Sequence, residues 1–458
     1  MTEENKRKKF LLSASSGRLM VSLSLPAIVG MVVIGLYTFV DAIYAGQLIS
    51  TDAMGAVSIA YPFTFINTGI ACLIGMGSAS VLSRAIGAGN QDVIDGVMGN
   101  LIAMNLILSI AVTVLGVSFA QPLLALTGAE GPMLDLATAY LRVIFCGSLF
   151  VNFAQSSNMV MRGEGDMVKA MLIMGGGAVL NMILSPIFIL SLRDAGLGLE
   201  GAATATVLSQ FIQGAVMLWW FVKKEKVARI HRIKLNQDVL PEVLKVGVSA
   251  MLMQVLTLVQ QAVIYRAAAY WGGAEWQIIF GAALRIQAFS FIPLWGMSNG
   301  LQPAIGTNYG AERYGRVRKI MASFCLGATV LCFAFWLPAM TVPDALLSWF
   351  ITDPGLVAMG VDSFRLFFAP FFLYGIMIMA ITFLQSIGQG GKAAVLTMAR
   401  PLVLFVPMVL AVPFFTGTGI LGVWIACVLT DVLVLVVAIM MVTMSLKKMG
   451  YEKYSMSI

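Results

Sequence analysis

The sequence predicts an all-α polytopic integral membrane protein, with 12 transmembrane helices in two pseudo-symmetric six-helix bundles. Three observations predict it. The 458-residue chain is 59% hydrophobic and only 11% charged, whereas a water-soluble domain carries about 25% charged residues. Its apolar stretches recur at the length of about 20 residues that a helix needs to cross hydrocarbon. Short glycine-bearing motifs also recur in the second half at a nearly constant offset, close to half the chain length, as a duplicated unit would leave them.

The spans are expected at approximately 20–46, 55–83, 94–119, 136–161, 168–192, 200–222, 242–270, 276–306, 317–338, 356–386, 391–413 and 418–446. They divide the chain into a cytoplasmic tail (1–19), an N-terminal lobe (20–222), a basic linker (223–241), a C-terminal lobe (242–446) and a second tail (447–458). Lys6-Arg7-Lys8-Lys9 precede an apolar run too long for a signal-peptide core, so no cleavable leader is expected.

The first span carries Pro26 near its start and, near its end, Tyr37 and Asp41 four residues apart. That spacing sets a phenol and a carboxylate on one helix face. An aspartate at a helix centre in hydrocarbon costs roughly 2.5–3.5 kcal/mol on insertion scales. Asp41 therefore either takes a cation or proton, or pairs with a fixed charge that locks the bundle. The fourth span ends with Gln155-Ser156-Ser157-Asn158, the fifth holds Asn181 and Ser185 before Pro186, and the sixth opens with Thr204 and Thr206. Asp41, Asn181, Ser185 and a threonine supply the oxygen types that hard cations prefer. Ser185, Thr204 and Thr206 taken singly are better read as hydrogen-bonding between helices.

In the second half, Gln254, Gln260 and Gln261 line the seventh span, and Arg285 and Gln287 lie on the eighth. Asp362 and Arg365 lie three residues apart on the tenth, and Asp431 falls in mid-span of the twelfth. Arg285 and Arg365 lie deep enough to want partners. Asp431 is thus either one half of a structural pair with Arg285 or Arg365, or a second proton or cation site. Arg142 and Arg266 lie nearer span ends and are expected to snorkel outward.

The duplication rests on three matches. Gly77 and Gly87-Ala88 correspond to Gly300 and Gly310-Ala311, Gly163-Glu164-Gly165 to Gly388-Gln389-Gly390, and the segment from Gly201 to the one from Gly422.

Basic residues orient the chain. With the N-terminus inside, 24 of the 29 Lys and Arg residues fall on the inner side, Lys392 and Arg400 among them, and only Arg193 falls in an outer loop. Both termini are expected in the cytoplasm. The net charge of +7 reads as this topology signal rather than as affinity for nucleic acid. The basic linker reads as a solvated connector with some attraction to anionic lipid.

The five cysteines show no CxxC spacing and read as small buried hydrophobes. The single histidine, His231, lies in the polar linker, so proton chemistry within the membrane would run through carboxylates. No GxxxxGK loop is present, which leaves an ion gradient as the energy source. Two six-helix repeats suit a transporter working around a midplane site. No enzyme activity and no cofactor are expected, and the coupling ion would be H⁺ or Na⁺.

Val40-Asp41-Ala42-Ile43-Tyr44-Ala45-Gly46-Gln47, Arg162-Gly163-Glu164-Gly165-Asp166, Asn181-Met182-Ile183-Leu184-Ser185-Pro186 and Asn308-Tyr309-Gly310-Ala311 resemble the multidrug and toxic compound extrusion (MATE) family. The likeness runs over essentially the whole chain and looks closest to the DinF-like prokaryotic branch. It implies a monomeric, two-lobed exporter of cationic, amphipathic drug-like molecules that works by Na⁺ or H⁺ antiport. It maps the family's first-helix acid onto Asp41, its tyrosine onto Tyr37, the amides of the fourth and fifth helices onto Asn158 and Asn181, and the first-helix bend onto Pro26.

One departure matters: where the family pattern reads Asn-x-x-x-Asp-Pro, this chain has Ser185. With one carboxylate fewer, sodium binding should weaken while protonation of a lone Asp41 still works, so proton coupling is expected. The family's other branch places acids on the seventh helix, where this chain has glutamines. Gln260, Gln261, Arg285, Gln287, Asp362, Arg365 and Asp431 remain candidates for a substrate or coupling site in the C-terminal lobe. A flippase for a lipid-linked precursor, from the same superfamily, is the alternative, favoured if Arg285 and Arg365 face the lumen.

Overall fold

The structure, a computed structural model, describes residues 3–49, 51–125, 131–224, 227–230 and 233–455. A short helix α1 (Glu3–Ser13) precedes α2 (Ser16–Tyr44), α3 (Thr51–Ala88) and α4 (Gln91–Ala125). The fourth crossing is made by α5 (Gly131–Cys146) and α6 (Ser148–Gly163), and α7 (Met167–Arg193) and α8 (Gly198–Trp219) complete the first lobe. The second lobe opens with α9 (Leu240–Gly310), followed by α10 (Tyr314–Thr341) and the short α11 (Pro343–Ser348). Helices α12 (Pro354–Phe368) and α13 (Phe371–Ser386) share one crossing, α14 (Gly390–Met398) and α15 (Phe405–Thr416) the next, and α16 (Ile420–Ser455) is the last.

Helix α9 has 71 residues. Unbroken, it would run for about 107 Å, against a hydrocarbon core of about 30 Å. Gly273 breaks it, with φ 77° and ψ −169°, a conformation that costs a residue bearing a β-carbon dearly. The Gln277 side chain donates to the Tyr265 carbonyl across the break at 3.1 Å, so the two limbs, 240–272 and 274–310, fold back as the seventh and eighth spans. The count is then the expected twelve.

Two spans expected as single helices are bent, by 56° between α5 and α6 and by 42° between α12 and α13. At the first bend Gly147 sits where a β-carbon would strike Val207. At the second, Pro370 has no N–H to continue the ladder. A π-helical stretch, Ala399–Leu404, separates α14 from α15 around Pro401. The segment expected as a plain N-terminal tail is helical.

The chain's apolar side chains divide between lipid and core. Leu172, Leu326, Val330 and Leu410 stand more than 60% exposed, as a face toward acyl chains would. In the second lobe the Trp424 ring stacks on Phe280 at 3.5 Å between centroids, with Phe367 packed edge-on against it.

Where the lobes meet, the duplication becomes geometry. A β-carbon on Gly87 would collide with the Thr307 carbonyl, and one on Gly310 with the Arg84 carbonyl. The offset that separates Gly87 from Gly310 also separates Arg84 from Thr307, so each contact is the repeat of the other. Helix α3 and the second limb of α9 therefore cross about a pseudo-two-fold axis. Gly77 against Val243 and Gly300 against Leu23 and Ser24 follow the same relation to within a turn.

Further ties join the lobes. Arg84 pairs with Glu242 at 3.1 Å, Ser80 donates to the Gln385 carbonyl at 2.5 Å, and Gln302 donates to the Met76 carbonyl at 3.3 Å. This seam begins at the end bearing both termini and reaches Gly35 against Ile292. At the opposite end α5, α12 and α15 pack within their own lobes.

Gly247 lies on this seam, and a β-carbon there would run into the backbone carbonyl of Leu73. Gly247→Ala is expected to cost about 1–3 kcal/mol, as overpacking does when backbone must move. Thermal melting in detergent checks it, with the exposed Gly391→Ala, which meets nothing within 4 Å, as the control.

Candidate functional site

Each lobe encloses a polar network between its fifth and sixth spans. In the first lobe, α7 presents Asn181 and Ser185 one turn apart, both buried. Ser185 Oγ donates to Asn181 Oδ1 at 3.0 Å, and Asn181 Nδ2 donates to Thr206 Oγ1 on α8 at 3.1 Å. Thr206 passes its own proton to the Ala202 carbonyl at 3.2 Å. The three side chains are bonded in series.

Helix α2 runs alongside α7 in parallel. A β-carbon on Gly30 would meet Met171, and one on Gly175 would come 3.9 Å from Val33. This register, Gly30 beside Met171 and Val33 beside Gly175, carries up the pair. It sets the backbone of Asp41 level with residues 182–183, between Asn181 and Ser185. The Asp41 side chain lies outside the described residues, as does His231. Tyr37 is half-buried one turn below Asp41, and Pro26 lies inside α2, well before them.

Two expected members stand apart. Asn158 donates to the Ala170 carbonyl at 2.7 Å, tying α6 to α7 near their shared turn. It lies 5 residues from the end of α6, while Asn181 lies 14 from the start of α7, a difference in height of about 13 Å. Thr204 donates to the Glu200 carbonyl of its own helix at 2.7 Å, as a threonine in a helix commonly does.

The second lobe holds a charged network, and its partners differ from those expected. Asp431 pairs with Arg400, whose Nε lies 2.8 Å from Asp431 Oδ1. Arg400 Nη1 donates to Gln260 Oε1 at 3.1 Å and Nη2 to the Tyr374 hydroxyl at 2.9 Å. The guanidinium carbon lies 5.2 Å from the Tyr374 ring centroid. Tyr374 donates to Asp431 Oδ2, and Gln287 approaches the same hydroxyl at 3.5 Å. One buried ion pair thereby ties together both limbs of α9, α13, the π-helical stretch and α16.

Neither arginine expected beside Asp431 reaches it. Arg365 pairs with Asp362 at 3.6 Å, at the rim, where Asp362 is 97% exposed. Arg285 is exposed. Arg285 lies 12 residues past Gly273, as deep as reckoned, but on an exposed face, while Arg365 is held at the rim by its Nε bond to the Met340 carbonyl near the end of α10, at 3.2 Å. Arg142 and Arg266 are exposed as expected, and Gln261 is half-buried.

Arg400, counted with the inner-side charges although the expected span 391–413 contains it, lies 10 residues inside its span, about 15 Å deep. The readable signal was Arg400-Pro401 within an unbroken apolar run. Of the five cysteines, Cys72, Cys332 and Cys427 are buried as expected, whereas Cys325 is half-buried and Cys146 exposed.

A MatE family model matches the chain twice, over residues 26–187 and 249–410, two copies separated by the same offset as Gly87 and Gly310. The multidrug export protein MepA of Staphylococcus aureus (strain N315) is 25% identical over 88% of this chain and 88% of its own length. A protein named FAD transporter, from Shewanella oneidensis, is 26% identical over 92% of this chain and 93% of its own. Among solved structures, a MATE in the bent conformation superposes with a TM-score of 0.91 at 26% identity, covering 99% of both chains. The outward-facing conformation of a multidrug resistance MATE family transporter of the MOP superfamily superposes with a TM-score of 0.90 at 26% identity, covering 96% of this chain and 98% of that one. With both lobes matched, the helices accounted for span by span and the whole chain superposed, this protein belongs to the MatE family: it is a multi-pass MATE transporter and not an enzyme.

Proposed function

We propose that this transporter exports cationic or amphipathic drug-like molecules from the cytoplasm by antiport, with protons as the preferred coupling ion. The observation that carries this reading is the first-lobe network. Asn181, Ser185 and Thr206 are neutral and bonded in series, so the carboxylate of Asp41, level with them, is the group beside the network that could toggle. A single acid with neutral oxygens suits a proton better than a sodium ion.

The seam at the terminus-bearing end suits a chain whose termini and basic linker lie in the cytoplasm of a prokaryotic cell, caught with its inner end shut. Export would then proceed by rocking of the lobes (20–222 and 242–446) about that seam, in a monomer within the cytoplasmic membrane. Entry of a proton from outside neutralises Asp41, rearranges Tyr37 and its neighbours, and releases substrate outward. Only a difference in affinity between the two states can drive such a shift. The flippase reading is the less favoured, since Arg365 is paired with Asp362 at the rim and the similar proteins include the multidrug export protein MepA.

The test is uphill movement of ethidium in proteoliposomes under separately imposed proton and sodium gradients. A proton gradient alone is expected to drive it; flux driven by sodium alone would overturn the proton assignment. Ser185→Asp should restore sodium dependence, with half-saturation at sodium concentrations lowered by about tenfold, the effect of about 1.4 kcal/mol from one added carboxylate. An unchanged sodium response would remove the charge-count argument.

A further inference from the structure

Helix α1 and the loops beneath it lie outside both networks, yet they carry two of the motifs noted above, Arg162-Gly163-Glu164-Gly165-Asp166 and Asn308-Tyr309-Gly310-Ala311. We infer that α1 is a strap that holds the two lobes shut at the terminus-bearing end, and that Arg7 and Arg313 set how readily that end opens. This inference rests on the rocking reading.

On one side the strap is fastened to the first lobe. Arg7 pairs with Asp166 at 2.8 Å and with Glu164 at 3.6 Å. Both carboxylates belong to the turn between α6 and α7. Glu164 also accepts from the Ala228 backbone N–H at 3.2 Å, so the strap and the inter-lobe linker meet at one carboxylate. Gly165, at φ 86°, lets that turn pass close under Leu11, which is 1% exposed.

On the other side the strap is fastened to the second lobe through its last carbonyls, which have no partner within the helix. Asn308 donates to the Leu11 carbonyl at 2.9 Å, Arg313 to Leu12 at 2.9 Å and Arg316 to Ala14, just past the helix, at 2.7 Å. Arg316 also holds Asn308 in place, through Nε to Oδ1 at 3.1 Å. Cations at a helix C-terminus are favoured by its dipole as well.

The strap lies over the symmetric crossing of Gly87 with Thr307 and Gly310 with Arg84. Rocking the lobes apart at this end would separate Glu164 and Asp166 from Asn308, Arg313 and Arg316. Helix α1 cannot stay bonded to both sets, so opening must break one of them. The strap adds its contacts to the closed state only, which is what lets it bias the equilibrium.

The experiment places spin labels at Asp92→Cys and Lys319→Cys, exposed sites on the inner ends of the two lobes. The background is a full-length chain with its native cysteines replaced and its export verified. Inter-lobe distances are then read in proteoliposomes. Arg7→Ala is expected to raise the ratio of long to short distances about tenfold, as loss of a partly buried charged contact would, and Arg313→Ala, which removes an exposed contact, about threefold. Arg7→Lys should return the ratio to that of the parent. Arg313 is exposed, and loss of the half-buried Arg7 leaves Asp166 paired with Lys169 at 3.1 Å and Glu164 bonded to the Ala228 N–H, so the fold is retained.

Unchanged populations in both alanine variants, with export intact, would overturn the strap and leave the exporter reading standing. One distance in the parent under every gradient would overturn the rocking reading, and the strap with it.

Discussion

Asp41→Asn is expected to reduce uphill export to the passive leak of the vesicles while the protein still folds and melts within about 1 kcal/mol of the parent, because a neutral amide in hydrocarbon costs less than a carboxylate. Asn181, Ser185 and Thr206 carry no charge and bond to one another. The carboxylates nearest the terminus-bearing end, Glu164 and Asp166, are held by Arg7. The α2–α7 register sets Asp41 level with the network, so its ionisation is what a gradient could act on there. Substrate binding without uphill transport is the expected phenotype, measured as retained ethidium binding with no flux under an imposed proton gradient. Uphill flux at the parent rate would remove Asp41 from the mechanism.

Arg400→Ala has the largest expected effect on stability, a loss of about 3–5 kcal/mol, because removing one partner of a buried pair strands the other charge. Asp431 would keep only its Tyr374 hydrogen bond, and Gln260 would lose its donor. Arg400→Met combined with Asp431→Leu should recover most of the loss, since apolar replacement of a buried pair is commonly neutral or better. Melting of the single and double variants in detergent measures both. A single variant that melts with the parent would show that the pair does not hold the lobe together, and Asp431 would return as a candidate coupling group.

The two networks differ in how legible they were. Asn181, Ser185 and Thr206 were visible because a polar side chain in an apolar run is conspicuous and i, i+4 spacing puts two of them on one face. Asn158 looked equally conspicuous, yet it bonds to the Ala170 carbonyl near the turn between α6 and α7. Spacing along one helix gives a face and a height; it does not name the helix across the gap.

Arg400 was misplaced for a related reason. Counting basic residues assigns a side of the membrane well when charges cluster in loops, and poorly for a lone arginine beside a proline inside a span. Arg285 and Arg365 go wrong in their partner, because depth along a helix does not say which face is covered: both are exposed, and Arg365 bonds to Asp362 and the Met340 carbonyl. Helix α1 reads as a tail because its polar, basic sequence carries no apolar face that spacing could detect. What folds it is contact with segments far along the chain, Glu164 in one lobe and Arg316 in the other.

The membrane-spanning architecture, the twelve crossings and the internal duplication that relates Gly87 to Gly310 are legible from the residues alone. These follow from the thickness of hydrocarbon and from a repeat, both of which act along the chain. That Asp431 faces Arg400, that α1 bonds to both lobes, and that Gly87 and Gly310 cross their partners about one axis emerges in the folded molecule alone. Those pairings depend on which helices become neighbours, at what height and with what breaks. Packing between distant segments sets all three.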